Sequence, residues 1–440
     1  MKFIKPLWYF NLGIGKSLIW PDPNKIVPPE LLDKNYNSYE SMISEASYLA
    51  LMSGYIPSDL EKDQLSSSFI NYNHTVYDEF YFIKKFFNPI WSVAFLIYRL
   101  ITFGYFFHAI SAFFKTLHIK RTDSKYGFLI LKKIKPDKFY RLHNIKKPIR
   151  IIIPTYNRYK SLHNLLKDLE KQTYSNFRVS IVDQSEEYNY KFYNDFNLQI
   201  DLQRQTVPGL WKARNSAIKK TSERIIAFLD DDSRVGKNWL FNHLKCLDYY
   251  KLDISAGISI SKIGAKIPSN YYFYRVSDQI DTGNVILKRE IFDKCGLFDE
   301  KFEGMRMGDA EFGLRTFTRG IISVSNPEAY RLHLKISKGG LRQVGSWDTF
   351  RPTSFLKPRP IPSALYYARK YFGDRSSIIF IIINLPLSLS TYTKKDKYFY
   401  SILSLFFFII LFPILLTQVL ISWKKSSNML ITGNEIPGEK

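Results

Sequence analysis

The feature that most constrains this chain is an apolar run that ends in three consecutive carboxylates. Residues 225–229 read IIAFL and are followed directly by Asp230, Asp231 and Asp232. An apolar run of this length predicts a strand that is buried on both faces of a sheet. Ligands of open α/β sheets bind beyond the carboxyl ends of such strands, and three like charges there favour a bound cation. The alternative is a solvated turn, in which Asp is common.

Strands and helices alternate on both sides of this triplet. The pattern predicts strands at 150–153 and 177–182 and helices at 161–171, 213–219 and 239–249. This order predicts a mostly parallel, right-handed βαβ sheet that is flanked by helices. Because Asp183 follows the second strand, we expect it at the same sheet edge as the triplet, where nucleotide pockets form. Further strands are predicted at 253–260 and 283–288, and further helices from about 289 and about 308.

Composition limits the classes of partner. The 63 Lys and Arg residues exceed the 40 Asp and Glu residues and give a net charge of +23. This charge indicates an anionic partner, such as anionic lipid or a phosphorylated substrate. No nucleic-acid-binding motif is present, so we do not expect nucleic acid to be bound. The two cysteines, Cys246 and Cys295, indicate neither a disulfide framework nor a cysteine metal cluster.

Three apolar segments indicate contact with a membrane. Residues 86–118 include Arg99, whose charge is costly inside a bilayer, so this segment favours interfacial helices. A membrane span and a buried helix pair are the alternatives. Residues 377–390 are short for a span, whereas residues 399–423 contain no charged residue and are long enough to cross a bilayer.

These patterns divide the chain into three regions. Residues 1–147 form an N-terminal extension, residues 148–350 an α/β domain, and residues 351–440 a region that associates with a membrane. The prediction rests on the change from apolar and basic segments to alternating strands and helices, and back again.

Five short motifs occur in a fixed order within the α/β domain: PTYNR at 154–158, Asp183, ARN at 213–215, FLDDD at 228–232 and GDAEFGLR at 308–315. In this order they resemble the inverting family 2 glycosyltransferases of bacterial cell-surface polysaccharide synthesis. The resemblance covers residues 148–345. It implies the GT-A fold, a Rossmann-like sheet, and transfer of a sugar from a nucleotide diphosphate sugar with inversion.

The resemblance also implies residue roles. The nucleotide sugar would contact Pro154, Tyr156, Arg158, Asp183, Arg214, Asp230 and Asp231. Arg214 would either contact the diphosphate or support the acidic loop, since Arg pairs with phosphate and carboxylate alike. Asp232 and His333 would bind Mn²⁺ or Mg²⁺, and such an ion neutralises the charge of a leaving diphosphate.

Asp309 is the predicted general base, because one-step inversion needs a carboxylate opposite the leaving group. Many relatives have Glu before this Asp, whereas this chain has Gly308. Glu311 is the alternative base, or an acid that stabilises the helix start. A basic, glycine-rich loop with Lys335, Lys338, Gly339, Gly340 and Arg342 would close over the diphosphate.

These features predict an enzyme that adds one sugar to a glycan or lipid-linked acceptor at the cytoplasmic face of the cell membrane. A UDP-sugar is the favoured donor. The string from Gln343 to Trp347 lacks the Arg of the Gln-x-x-Arg-Trp motif found in polymerising synthases, which favours single addition. A processive polysaccharide synthase and a non-catalytic GT-A-like binding protein are the alternatives.

Overall fold

The computed structural model describes residues 17–18, 32–52, 54, 56, 69–70, 74–87, 89–101, 105–122, 148–261, 273–277, 280–341, 349–352, 354–390 and 398–432. The chain divides into two compact units, Met1–Ile134 and Lys135–Lys440. The predictions for Arg342 and for residues 343–347 lie outside the described residues.

The described residues of the first unit form four helices and one short strand pair. The strands β1 (Ser17–Leu18) and β2 (Phe69–Ile70) pair antiparallel. The helices are α1 (Tyr39–Met52), α2 (Val76–Phe86), α3 (Ile90–Ile101) and α4 (Phe106–Lys115). Their core is rich in aromatic side chains, which pack mostly edge to face.

The apolar segment 86–118 therefore contains short helices. The 12 residues of α3 and the 10 residues of α4 are fewer than the roughly 20 that a bilayer span needs. Arg99 forms an ion pair with Glu79 of α2, which neutralises the charge that interrupts the segment. Phe107 is 81% exposed and Phe114 is 62% exposed, so α4 presents aromatic rings to its surroundings.

The second unit is built on a nine-stranded sheet. Its strands are β3 (Ile149–Thr155), β4 (Phe177–Asp183), β5 (Ile200–Arg204), β6 (Ile225–Leu229), β7 (Ser233–Val235), β8 (Ile254–Ser261), β9 (Arg275–Val276), β10 (Asn284–Lys288) and β11 (Ser323–His333). Their order is β5-β4-β3-β6-β10-β8-β11-β7, and β9 pairs with β11.

The sheet is parallel in one half and mixed in the other. Strands β5, β4, β3 and β6 are parallel, which confirms the predicted βαβ arrangement. Strand β10 then runs antiparallel to both β6 and β8. Strand β11 is parallel to β8 but antiparallel to β7 and β9. The GT-A-like α/β class is confirmed, and the sheet is mixed because β10 reverses the chain direction beside the central strand.

Among the described residues, five α-helices pack on this sheet and its core. They are α5 (Tyr159–Glu170), α6 (Leu210–Lys219), α7 (Trp239–Tyr249), α8 (Glu290–Cys295) and α9 (Gly308–Thr318). The apolar side of α5 lies wholly in the core, as its leucine spacing predicts. Phe228 of β6 packs against Phe292 and Phe298, and Phe298 packs against Phe312 of α9. The central strand and α9 therefore share one aromatic core.

The strand register brings the predicted acidic residues to one sheet edge. Thr155 of β3 pairs with Asp183 of β4. Asn284 of β10 pairs with Leu229 of β6. Because β10 runs antiparallel, the turn that precedes it lies beside the carboxylates that follow β6. The register thus adds residues 281–283 to the edge that the sequence predicts as the site.

The C-terminal region is helical and belongs to the same compact unit. Helix α10 (Pro362–Asn384) bends at Gly373, whose φ is 77°, and α11 (Tyr398–Ile431) follows. Leu365, Ile381 and Leu385 pack with Leu415 of α11 in a small apolar cluster. Within the part of the chain that the structure describes, Ile402–Ile431 is the helix long and apolar enough to cross a membrane. Most of its apolar side chains are exposed.

Candidate active site

The first carboxylate of the triplet lies between two buried guanidinium groups. Arg214 Nη2 donates to Asp230 Oδ1 at 2.8 Å, and Arg331 Nη1 donates to Asp230 Oδ2 at 2.9 Å. The side chains of Arg214 and Arg331 are 0% and 1% exposed. Two buried cations therefore balance the charge at this end of the acidic loop, which reduces the repulsion expected among three carboxylates.

The second carboxylate is buried against strand β3. Asp231 Oδ2 accepts a hydrogen bond from Thr155 Oγ1 at 2.8 Å, and Asp231 Oδ1 lies 3.1 Å from Arg158 Nη1. Burial, together with the neighbouring Asp232 carboxylate, raises the pKa of Asp231 to about 7, although Arg158 acts in the opposite direction. Unlike Asp230 and Asp232, Asp231 does not belong to the group of side chains whose ligand atoms converge with His333.

The third carboxylate has the features of a metal ligand. Asp232 Oδ2 lies 3.1 Å from Arg158 Nη1 and 3.3 Å from His333 Nε2. Asp232 Oδ1 is buried and has no hydrogen-bond partner among the described residues. Burial acts to raise the pKa of Asp232, but His333 and Arg158 together lower it below its usual value.

Three side chains converge at this point. Asp230, Asp232 and His333 each offer one ligand atom, and these atoms lie within 4.8 Å of one another. Two carboxylate oxygens and an imidazole nitrogen suit Mn²⁺, and Mg²⁺ accepts the oxygens. A buried carboxylate oxygen without a partner costs free energy unless a cation or donor meets it. The residues present therefore fit a divalent cation, and Asp230 joins the predicted pair of Asp232 and His333.

The predicted base lies at the start of helix α9. Asp309 is half-buried in the first turn, where the helix dipole stabilises a negative charge. The residue before it, Gly308, packs against Trp211: a Cβ at this position would lie 2.3 Å from Trp211 Cζ2. A Glu side chain at position 308 would therefore clash with the indole ring in this structure.

Thr282 connects the predicted base with the acidic loop. Both its N–H, at 3.2 Å, and its hydroxyl donate to Asp309 Oδ1. The same hydroxyl accepts from Arg214 Nη1 at 2.5 Å, and the Thr282 carbonyl accepts from Arg214 Nη2 at 2.8 Å. Arg214 also binds Asp230, so one chain of hydrogen bonds runs from the triplet to Asp309. The structure favours the supporting role of Arg214 over direct contact with a diphosphate.

The turn that carries Thr282 is tightly packed against the triplet. A Cβ at Gly283 would lie 2.2 Å from Asp230 Oδ2 and 2.4 Å from Arg331 Nη1. Arg331 also binds Asp281 Oδ2 at 2.9 Å and Ser233 Oγ at 2.9 Å. Burial lowers the pKa of Arg331, but the carboxylates of Asp281 and Asp230 raise it above its usual value. This guanidinium therefore stays charged inside the protein.

Sequence reasoning missed Thr282, Asp281 and Arg331. A weak signal existed for Arg331, since it lies two residues before His333 and alternate residues of a strand share a face. No comparable signal marked Thr282, because its position depends on how β10 pairs with β6.

Asp183 lies at the end of β4, as predicted, but its oxygens already accept hydrogen bonds within the chain. Tyr159 and Tyr193 donate to Oδ2 at 2.6 and 2.8 Å, and the Ser185 N–H donates to Oδ1 at 2.9 Å. The carboxylate is fully buried. The neighbouring Gln184 accepts from the Gly209 N–H at 2.6 Å. A contact of Asp183 with a nucleobase stays a prediction.

The glycine-rich loop lies against the PTYNR motif. The Gly340 N–H donates to the Tyr156 carbonyl at 2.8 Å, and Arg158 donates to the carbonyls of Ile336 and Lys338 at 2.7 and 3.2 Å. Gly339 and Gly340 have φ of 66° and 86°, a region that favours glycine. Pro154 is buried at the end of β3, and the Tyr156 hydroxyl donates to Glu186 at 2.8 Å.

Glu311, the alternative base, is 1% exposed. Its carboxylate contacts Arg315 Nη2 at 3.0 Å, Lys370 Nζ at 3.2 Å and the Tyr371 hydroxyl at 2.5 Å. These bonds join α9 to α10. They fit a structural anchor better than a group that must meet an acceptor.

Part of this chain is similar to known proteins. Residues 150–306 match the model of the glycosyl transferase family 2. The chain is 32% identical over 101 residues to the Escherichia coli UDP-Glc:alpha-D-GlcNAc-diphosphoundecaprenol beta-1,3-glucosyltransferase WfgD, covering 22% of this chain and 38% of that protein. It is 30% identical over 111 residues to the Staphylococcus aureus poly(ribitol-phosphate) beta-N-acetylglucosaminyltransferase TarS, covering 24% of this chain and 19% of that protein. The chain thus spans less than half the length of either relative.

A solved structure also aligns with part of this chain. The crystal structure of S. aureus TarS 1–349 in complex with UDP-GlcNAc aligns with a TM-score of 0.42 and 18% identity, covering 60% of this chain and 80% of that chain. The family match spans the strands and turns that carry the Asp triplet, Asp183 and Thr282. Residues 150–306 of this chain therefore belong to a glycosyl transferase family 2 domain, and the mixed α/β sheet that carries them is GT-A-like.

Proposed function

We propose that this protein is a metal-dependent, inverting glycosyltransferase that moves a single sugar from a nucleotide diphosphate sugar to an acceptor hydroxyl. One observation carries the proposal. The Asp230, Asp232 and His333 cluster and the Asp309 carboxylate lie at one sheet edge, joined through Arg214 and Thr282. One end of this edge suits a cation with a diphosphate, and the other end suits a reacting hydroxyl.

The donor end would neutralise the leaving group. A divalent cation held by Asp230, Asp232 and His333 would act as a Lewis acid on the diphosphate oxygens. Arg158 borders this cluster, and it also holds the loop at residues 336–340 by two carbonyl contacts. Lys335 and Lys338 of that loop are exposed and would attract the anionic donor. The loop would exclude water and so reduce hydrolysis of the donor.

The acceptor end would remove a proton. Asp309 would accept the proton of the attacking hydroxyl on the side of the sugar opposite the diphosphate, which inverts the anomeric carbon in one step. Thr282 holds the Asp309 carboxylate by a backbone and a hydroxyl donor, so the orientation of the base is set before the substrate arrives. Such positioning supplies part of the rate acceleration, because little reorganisation is left for the reaction itself.

The names of two relatives support a class of donor and acceptor. The E. coli relative is named for a UDP-glucose donor and an acceptor on diphosphoundecaprenol, and the S. aureus relative for a poly(ribitol-phosphate) acceptor. We infer that this chain uses a UDP-sugar and a lipid-linked or polysaccharide-precursor glycan.

We place the enzyme at the cytoplasmic face of the membrane, where nucleotide sugars are made. The exposed apolar side chains of α11, such as Ile409 at 74%, support contact with lipid. Deletion of residues 377–440 should release the protein from membranes, as measured by sedimentation with vesicles. If the truncated chain still sediments with the vesicles, the anchor lies elsewhere, and residues 86–118 become the first candidate.

A screen of nucleotide sugars tests the proposal. The full chain in detergent would be mixed with Mn²⁺ and each nucleotide sugar, and its thermal unfolding would be followed. A preferred UDP-sugar at about 100 times its Kd should stabilise the fold by about 2.7 kcal/mol. Transfer to a lipid-linked glycan is then measured by release of UDP and by the length of the product. Absence of stabilisation and of transfer with every donor would refute the proposal, and a ladder of products would indicate a processive synthase.

A further inference from the structure

Helix α10 holds the helix that carries the predicted base. Lys370 and Tyr371 of α10 contact the buried Glu311 Oε1 at 3.2 and 2.5 Å. Glu311 lies two residues after Asp309 in α9. We name the contact of Lys370 and Tyr371 with Glu311 the C-terminal clasp. A second contact lies beside it, where the Tyr366 hydroxyl donates to Asp299 Oδ2 at 2.7 Å.

The clasp stabilises a charge that α9 does not balance fully by itself. Glu311 is 1% exposed, and a buried carboxylate needs partners because its hydration is lost. Arg315 supplies one partner from within α9, at 3.0 Å from Glu311 Oε2. Both contacts with Oε1 come from α10. Two contacts from α10 therefore connect it to the first turns of α9.

Helix α10 is in turn seated on the apolar helix α11. The Arg369 guanidinium lies 4.1 Å from the centre of the Trp423 ring. It donates to Ser426 Oγ at 2.9 Å and to Ser427 Oγ at 2.7 Å. Arg369 is the direct neighbour of Lys370, so a continuous set of contacts runs from α11 through α10 to Glu311.

We propose that the C-terminal clasp positions Asp309, so that sugar transfer depends on the seating of the C-terminal helices and not only on their attachment to a membrane. Lys370 and Tyr371 are then positioning residues, because they act on the base through Glu311 and α9. The inference rests on the proposed function for its kinetic consequence. Loss of the clasp would let the first turns of α9 shift, and a misplacement of about 1 Å at a reacting group can reduce turnover by about 100-fold.

The test uses the full chain in detergent or lipid nanodiscs with a soluble analogue of the acceptor. The double variant Lys370→Met with Tyr371→Phe should lower kcat by about 10- to 100-fold, while the KM for the donor changes by less than about two-fold. The matched control is Arg375→Met, which removes an equal charge from an exposed position of α10. The single variant Lys370→Arg should keep most of the activity that Lys370→Met loses, because Arg can also pair with Glu311.

A second measurement does not depend on turnover. Hydrogen exchange of the amides at 308–318 should become faster in the double variant and stay unchanged in the Arg375→Met control. If the double variant does not fold, Tyr371→Phe alone removes a single hydroxyl and is measured in its place. Wild-type kcat together with wild-type exchange at 308–318 would overturn the clasp. If the unaltered chain transfers no sugar while exchange at 308–318 responds as expected, the proposed function fails and the structural coupling stands.

Discussion

Replacement of Thr282 by Val removes one hydroxyl from the centre of the site and keeps the side-chain shape nearly unchanged. Thr282 is fully buried. Its hydroxyl donates to Asp309 and accepts from Arg214 Nη1 at 2.5 Å. The two backbone contacts of Thr282, from its N–H to Asp309 and from Arg214 to its carbonyl, remain in the variant. The change therefore tests the hydroxyl bridge alone.

The size of the effect follows from the charges of both partners. A hydrogen bond to a charged group contributes about 1.5–3 kcal/mol. If the bond to Asp309 acts fully in the transition state, its loss lowers kcat by about ten- to 150-fold, since 1.36 kcal/mol corresponds to a factor of ten. The free energy of unfolding should fall by about 1–3 kcal/mol, because Arg214 Nη1 loses an acceptor in a buried environment.

The assay is steady-state release of UDP at saturating acceptor, together with thermal unfolding of each variant. Thr282→Ser keeps the hydroxyl and should retain most of the wild-type kcat. Thr221→Val is the matched control, because it removes another buried hydroxyl that binds only the Ala217 carbonyl among the contacts described. Equal kcat for Thr282→Val and the wild type would refute the reasoning. Equal losses for Thr282→Val and Thr282→Ser would show that the hydroxyl is not the cause.

Three further predictions follow from the geometry. Asp309→Asn should abolish transfer while stabilisation by the donor persists in thermal shift; unchanged turnover would remove Asp309 as the base. Asp232→Asn should weaken binding of Mn²⁺ by at least about tenfold in an EPR titration, and EDTA should stop transfer by the wild type; normal Mn²⁺ affinity in the variant would exclude Asp232 as a ligand. Burial lowers the pKa of His243 from 6.5 to about 4. As the pH falls, the unfolded chain therefore binds a proton at His243 before the folded chain does. Up to about 3 kcal/mol of the free energy of unfolding, which is present above pH 6.5, is lost as the pH falls from 6.5 towards 4. His243→Gln should flatten this dependence in chemical unfolding between pH 4 and 7, and an unaltered slope would contradict the assignment.

Much of the fold was predictable because its signals are local. The apolar run of β6, the leucine face of α5 and the acidic start of α9 each reflect a periodicity within a short window of sequence. The same holds for Asp183 and the Asp triplet, since a polar residue at the end of a buried parallel strand must lie at the sheet edge. The order of five motifs then indicated the family that the comparison with known proteins confirms.

The rest of the sheet was less accessible to local reasoning. The antiparallel placement of β10 and the long pairing of β11 with β8 join segments that are far apart in sequence. Hydrophobic periodicity is the same for parallel and antiparallel neighbours, so it cannot assign the strand direction. The apolar segments at the C terminus were predicted from the sequence, whereas their packing against the α/β domain was not.

The sequence by itself thus determined which residue types are available at the sheet edge, including Asp232, His333 and Asp309. Only the tertiary structure decided how these residues are paired. Arg331 meets Asp230 across 101 positions, Arg214 meets Thr282 across 68, and Lys370 meets Glu311 across 59. Such pairs form because burial removes water from charged and polar groups and forces them to bind whichever partner the fold brings within reach. No local pattern encodes that choice of partner.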